Sequence, residues 1–313
     1  MTETSNEAKK PWLTGQRKKR IKEYVFCMSL WILPIITWFI LTVGSVSGTI
    51  TLAFQKYDPK INQYYWVGFE TFEEVLNDIV TNPVFVISIQ NSIIIWLTNT
   101  VFSLPIDLLV SYSVYKKIYG AEFFRVILFL PSVVSGMVWT LVYQYIVEFG
   151  IPWILNDVNA ISYLYDPTKD FWILLFFMLW QGFAGGLVLY TGAMSRIPYT
   201  LVESAKLDGL SYLKEWYYIT IPLIFPTISV TLITLFTGMF LSGLPIYNFY
   251  AGSARAGLYS IHYYLYNMVV GNINNPVRFP FSAALNLIIS AVTVPLTLLM
   301  RHLVEKYGPT VEY

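Results

Sequence analysis

Residues 197–224 read IPYTLVESAKLDGLSYLKEWYYITIPLI, a polar, punctuated stretch between two long apolar runs. Pro198 suits the first turn of a short helix, where its missing N–H leaves no bond unmade. Gly209 suits the far end, because glycine takes the left-handed conformation that closes a helix. Between them, Leu201, Val202, Ala205 and Leu207 are interleaved with Glu203, Lys206 and Asp208. A second short amphipathic segment then leads to Ile221-Pro222 and the next apolar run. The local chemistry fits a compact helix-turn-helix with a carboxylate exposed near its start. It fits equally an interfacial loop that only keeps two apolar runs apart.

Those runs dominate the chain. Of 313 residues, 56% are hydrophobic and only 12% charged, and the mean hydropathy is +0.55. Soluble domains carry roughly 25% charged residues, so this surface suits lipid better than water. With 20 basic against 19 acidic residues and no basic patch among aromatics, a nucleic-acid binder is disfavoured. One cysteine, Cys27, excludes a disulfide framework and a cysteine-based zinc site. His262 and His302 leave little for histidine-based metal or acid–base chemistry. A bilayer crossing needs about 20 mostly apolar residues. Six stretches qualify, at 24–54, 84–115, 124–147, 171–194, 219–243 and 281–301. The first is too long for a signal peptide and lacks a small-residue cleavage site. Pro34, Gly44, Gly48 and Pro105 are tolerable inside spans because neighbouring helices satisfy the freed backbone groups.

The expected fold is therefore an all-α polytopic membrane protein with six transmembrane helices. Lys and Arg orient it: 15 fall on one set of connections, including Lys9, Lys10, Lys116, Lys206 and Lys306, and five (Lys56, Lys60, Lys169, Arg255, Arg278) on the other. That asymmetry predicts both termini, and the quoted stretch, on the cytoplasmic side. The first two outer loops are acidic (Asp58, Glu70, Glu73, Glu74, Asp78; then Glu148, Asp157, Asp166, Asp170). The third, about 244–280, is rich in Tyr, Asn and Gly and is expected to dip into the membrane or pack over a cavity. The layout is a basic segment at 1–23, a first span at 24–54, a core at 84–302 and a tail at 303–313.

Glu203-Ser204-Ala205, Asp208-Gly209, Trp216, Ile219 and Ile221-Pro222, led in by Ile197-Pro198, closely resemble the EAA motif of ABC importer permeases. The departures are Ser204 and Leu210 for Ala, Trp216 for Phe, and Ile221 for Leu. The resemblance runs from about Ile21 to Tyr307. FSLPIDLLVSYSVYKK, RVILFLPSVVSGMVWTLVYQYI and MLWQGFAGGLVLYTGAMSRIP look like spans of the carbohydrate branch, similar to the large maltose-system permease and the polysaccharide-transport permeases. It implies the type I ABC importer permease fold in a bacterial or archaeal cytoplasmic membrane, with the coupling helix at 198–209. It implies as partners a second permease, two ATP-binding cassette ATPase subunits, an extracellular solute-binding protein and a carbohydrate. The chain has no G-x-x-x-x-G-K-[ST] loop, so ATP and Mg are expected on the ATPase subunits, with no cofactor, metal or catalytic residue here.

Coupling to the ATPase is expected of Glu203, Ser204, Ala205, Asp208 and Gly209, with Asp208 equally suited to ending the helix. Alignment on Trp180-x-Gly182-Phe183 and on Pro222 carries the family's sugar-lining positions to Gln181, Gly182, Gly185, Leu235, Gly238, Met239 and Ser242. Gln181 and Ser242 suit hydroxyl recognition, although small residues also serve close helix packing. A site borne mostly by the second permease is the alternative. Asp107 is the one acidic residue inside an expected span, and intramembrane carboxylates face a cavity or a partner. It is a cavity candidate, or it pairs within the bundle or with the second permease. Rival readings are a non-sugar ABC permease and an ion-coupled secondary transporter. The latter lacks support from repeats or a chain of ionisable groups.

Overall fold

The computed structural model describes residues 11–156, 163–271 and 275–309. Four expected features lie outside the described residues: the start of the basic segment with Lys9 and Lys10, Asp157, positions 272–274 of the third outer loop, and the tail end at 310–313. Helices α1 (Pro11–Trp38) and α2 (Gly44–Ala53) run on through a π turn at Phe39–Val43. A hairpin follows, β1 (Gln55–Asp58) paired antiparallel with β2 (Gln63–Trp66), in the register Gln55↔Trp66 to Asp58↔Gln63. The chain continues through α3 (Glu70–Thr81), α4 (Pro83–Thr98), α5 (Leu104–Tyr115), α6 (Ala121–Val133), α7 (Gly136–Tyr145) and α8 (Ile151–Leu155). Then come α9 (Asp170–Gly182), α10 (Leu187–Met194), α11 (Tyr199–Leu207), α12 (Tyr212–Glu215), α13 (Ile221–Leu223) and α14 (Phe225–Thr237). Helices α15 (Ile246–Tyr250), α16 (Ile261–Val269) and α17 (Arg278–Tyr307) complete the order.

Among the described residues, four stretches are long and apolar enough to cross a bilayer: Lys19–Ala53, Pro83–Tyr115, Gly136–Leu155 and Arg278–Tyr307. Two bent pairs, α9 with α10 (43°) and Tyr212–Leu223 with α14 (74°), make six if each is counted as one span. The third expected span, 124–147, is divided. Val134 (ψ 139°) and Ser135 (ψ 135°) are extended between α6 and α7, and the Ser135 carbonyl accepts the Val138 and Trp139 N–H groups at 3.0 and 3.2 Å.

Proline explains most of the irregular turns. Three π turns, Asn99–Ser103, Ile146–Gly150 and Trp216–Thr220, stand two residues before Pro105, Pro152 and Pro222. A proline ring crowds the carbonyl four residues back. That carbonyl belongs to Val101, Glu148 or Tyr218, the middle residue of each π turn, so the helix widens there instead of breaking. The π turn at Phe39–Val43 has no such proline, and nothing in the structure explains it.

The first helix stays outside the bundle: none of the best 18-residue window of Lys19–Ala53 is buried. Trp31, Leu33 and Trp38 are all exposed. In lipid this costs little, because hydrocarbon solvates an apolar side chain as well as protein does. Only its end packs, with Ala53 buried among Val75, Phe85, Tyr264, Ala284 and Leu285. Nearby, Lys56 Nζ lies 2.7 Å from both Glu70 and Glu74. Those two carboxylates hold its ammonium pKa above the usual lysine value.

A second cluster joins α4, α7 and α9 to the segment around 244–263 through Ile95, Tyr143, Phe177, Ile246, Phe249 and Tyr263. That segment packs onto the bundle as short helices: the Tyr250 hydroxyl donates to the Leu164 carbonyl at 2.5 Å and the Tyr263 hydroxyl to the Ala251 carbonyl at 2.6 Å. Arg255 seals it to the start of α9 with a bidentate pair to buried Asp170, Nη2 donating to Oδ1 at 2.8 Å and Nε to Oδ2 at 3.1 Å. A third cluster, at the far end of α5 and α10, surrounds α11.

Candidate functional site

Helix α11 is built as the local sequence demands. Pro198 (ψ 129°) stands at the N-cap position, one residue ahead of the first turn expected of it, and its carbonyl accepts the Leu201 N–H at 3.1 Å. At the other end Gly209 has φ +70°, the left-handed conformation expected of it. The Gly209 N–H donates to the Lys206 carbonyl and the Leu210 N–H to the Ala205 carbonyl, each at 3.1 Å. These two bonds are the Schellman closure. Val202 is buried among Leu108, Tyr112, Tyr190, Met194, Ile224 and Ile228, and Ala205 is buried as well. Burying a valine side chain from water is worth about 1.5–3 kcal/mol, so this face fastens the helix to α5, α10 and α14. The opposite face carries Glu203, Ser204 and Asp208, all exposed, beside Leu207 at 84% and Tyr199 at 68% exposure. Of the five residues expected to couple, four are therefore on the surface, and Ala205 is buried.

Behind α11 lies a pair the sequence reading missed. Lys116, just past α5, forms an ion pair with Glu215 at the end of α12; their side chains are 14% and 6% exposed. The Tyr112 hydroxyl donates to the Tyr212 carbonyl at 3.2 Å, and the two rings lie 4.6 Å apart. Lys116 Nζ is 5.6 Å from the Tyr112 ring centre. A buried ion pair holds its partners in fixed relation, because removing one strands a charge. The available signal was Glu215 itself, a lone acid in the aromatic run Tyr212–Tyr218.

The expected cavity residues divide into two groups. The first surrounds the elbow of the α9–α10 pair. Ala184 has φ +60°, and the Gly185 N–H donates to the Gly182 carbonyl at 2.9 Å. Gly186 has no room for a side chain: a Cβ would lie 2.4 Å from the Tyr190 ring and 3.2 Å from Asp107 Oδ2. Asp107 Oδ2 accepts the Gly186 N–H at 3.1 Å, and Oδ1 is buried without a partner. The carboxylate thus satisfies backbone freed by the break and faces the positive end of α10. Gln181 is half-buried, with Nε2 against Gly136 at the start of α7, while Gly182 and Gly185 are exposed.

The second group converges. Leu235, Gly238, Met239 and Ser242 line one notch of about 20 Å³ with Ile95, Trp96 and Asn99. Gly238 leaves room for Ser242, since a Cβ there would lie 2.7 Å from the Ser242 Oγ and displace it. Gln181, Gly182, Gly185 and Asp107 do not line this notch. Trp96 and Asn99 were not expected; they enter because the π turn at Asn99–Ser103 carries the end of α4 against α14.

No family model matches the chain. It is 26% identical over 268 residues to the galactooligosaccharides transport system permease protein GanP of Bacillus subtilis, covering 80% of this chain and 63% of that protein. It is 26% identical over 160 residues to the multiple sugar-binding transport system permease protein MsmF of Streptococcus mutans, covering 50% of this chain and 55% of that protein. The matched stretches thus span less than two thirds of either relative. Among solved structures, a bacterial ABC transporter that imports the acidic polysaccharide alginate has a chain of the same fold. The TM-score is 0.71 at 20% identity, over 93% of this chain and 99% of that one. The same transporter was also solved in complex with an alginate pentasaccharide-bound periplasmic protein. The resemblance to carbohydrate ABC importer permeases stands in both the sequence relatives and the fold.

Proposed function

We propose that this chain is one of two membrane-spanning subunits of an ATP-driven importer of sugars, oligosaccharides above all, working with a solute-binding protein. The observation that carries the reading is α11: a closed short helix, anchored by Val202, presenting Glu203 and two large exposed apolar side chains. A surface of that kind suits a protein partner, since exposed apolar residues beside a charge mark docking sites. Six spans result when each bent pair counts as one crossing, and the 15-to-five Lys and Arg asymmetry puts both termini and α11 in the cytoplasm.

In this mechanism two ATPase subunits hold the ATP and Mg, and one of them grips α11. Closure of the ATPases on ATP moves α11 with α5, α10 and α14 as one body, because the buried anchor and the Lys116–Glu215 pair leave no slack between them. The elbow and the bend at Ile224 then convert that motion into opening of the pathway toward the outer face. A second permease covers the exposed Gly182 and Gly185 at the elbow.

The test is extraction of the tagged chain from its native membrane in mild detergent, with mass spectrometry of what co-purifies, paired with uptake of labelled galactotriose and arabinotriose. A second permease and a P-loop ATPase should accompany the chain. Glu203→Lys should leave the complex assembled and abolish uptake. A chain recovered alone, or full uptake by the variant, overturns the reading.

A further inference from the structure

Trp96 presents an orphan. Its indole Nε1 is buried and meets no acceptor among the described residues. A buried polar group without a partner costs about 1–3 kcal/mol, and native folds rarely leave one without a reason. The indole is held rather than loose: its ring packs edge-on against Phe236, centroids 5.5 Å apart at 90°. Its backbone carbonyl accepts the Thr100 hydroxyl at 2.9 Å inside the π turn. π turns recur at functional sites, and this one begins at Asn99, which with Trp96 lines the notch shared with Gly238 and Ser242.

Asn99 is under-used as well. Its Nδ2 reaches only the Met178 sulfur, at 3.7 Å, and its Oδ1 accepts from Ser103 at a long 3.4 Å. The notch of about 20 Å³ exceeds the roughly 10–15 Å³ that one water requires, and it is far too small for a sugar ring. It fits one oxygen. An indole N–H can only donate and an amide oxygen only accept, so the oxygen that satisfies both belongs to a hydroxyl group or to water.

We infer that Trp96 and Asn99 form a single-hydroxyl subsite: one hydroxyl of the passing saccharide accepts from Trp96 Nε1–H, donates to Asn99 Oδ1, and displaces a water that otherwise fills the notch. This rests on the sugar-import reading and names residues on α4 and its π turn as specificity groups. Nearby, Phe236 sets the indole plane and Gly238 keeps the notch open.

The test is kinetic, on the whole transporter in cells and in vesicles, with galactotriose and arabinotriose as probes. Trp96→Phe keeps the ring against Phe236 and deletes only the donor. It should raise the KM for uptake about tenfold, one neutral hydrogen bond's worth, with the protein level unchanged. Asn99→Leu, which fills the notch from the other side, should give the same KM rise. Among monodeoxy derivatives of the transported trisaccharide, one should be carried equally by wild type and Trp96→Phe; a structural role for the indole has no such signature. An unchanged KM in both variants, or loss of maximal rate alone, overturns the subsite while leaving sugar import intact. Failure of the wild type to take up either probe overturns the import reading and the subsite with it.

Discussion

At α11 and at the α9–α10 elbow the chain interrupts a helix, and it treats the freed backbone differently. Gly209 closes α11 with two backbone bonds of its own turn, and the anchoring face is apolar. At the elbow Ala184 is held at φ +60°, and the Gly186 N–H is satisfied from another span by Asp107. The first interruption is complete within one short segment; the second depends on α5 being in place. A locally closed element can move as a unit, whereas an element closed by a neighbour changes when that neighbour shifts. Under the proposed mechanism the end that receives force is self-contained, and the bend that passes it on is shared between spans.

The comparison breaks most readily at the pair that ties α12 to α5. Glu215→Ala strands Lys116 in a site where its side chain is 14% exposed. It should cost about 3–5 kcal/mol, read as a lowered unfolding midpoint of the detergent-purified protein. Changing Lys116 and Glu215 together to Met should recover most of that loss, because a pair of apolar residues leaves no uncompensated charge. A double variant as unstable as Glu215→Ala would show that the pair is not what holds the two helices.

The elbow comes next. Asp107→Leu removes the acceptor of the Gly186 N–H and should cost about 1–3 kcal/mol. Asp107→Asn, whose amide oxygen still accepts, should stay close to wild type in the same melts. Equal losses in the two variants would assign the effect to packing. Gly209→Ala is milder, about 1–2 kcal/mol for an L-residue held left-handed, since the added methyl meets nothing within 4 Å. Smallest for stability is Leu207→Ser: at 84% exposure it should leave the melting curve unmoved. Its effect should appear as weaker ATPase retention on gel filtration, and undiminished retention would remove Leu207 from the docking face.

Much of this was legible in order of residues. The left-handed Gly209 followed from its position after Asp208, and the six apolar stretches followed from run length. The prolines at 105, 152 and 222 marked where helices widen, once the three π turns are seen to precede them. Pairings between distant segments were not legible. Lys116 counted only as a charge for orientation, with Glu215, 99 positions on, left unpaired with it. Asp107 was recognisable as costly in a membrane, but its acceptance of the Gly186 N–H depends on where α9 bends. Four of the carried-over cavity positions met in one notch, whereas Gln181 points to α7 and the elbow glycines lie apart, because the 43° and 74° bends set the two halves on different walls.

The sequence by itself determined that this chain is helical and suited to lipid, and where a short closed helix interrupts its apolar runs. Those properties are local, resting on run length, proline geometry and the freedom of one glycine. Tertiary structure alone decided which charges meet, that a carboxylate of one span completes the broken backbone of another, and that Trp96 and Asn99 line one small notch with Gly238 and Ser242. Each of these depends on distances between segments about 80 to 150 residues apart, which bends of tens of degrees shift by more than a hydrogen bond's tolerance.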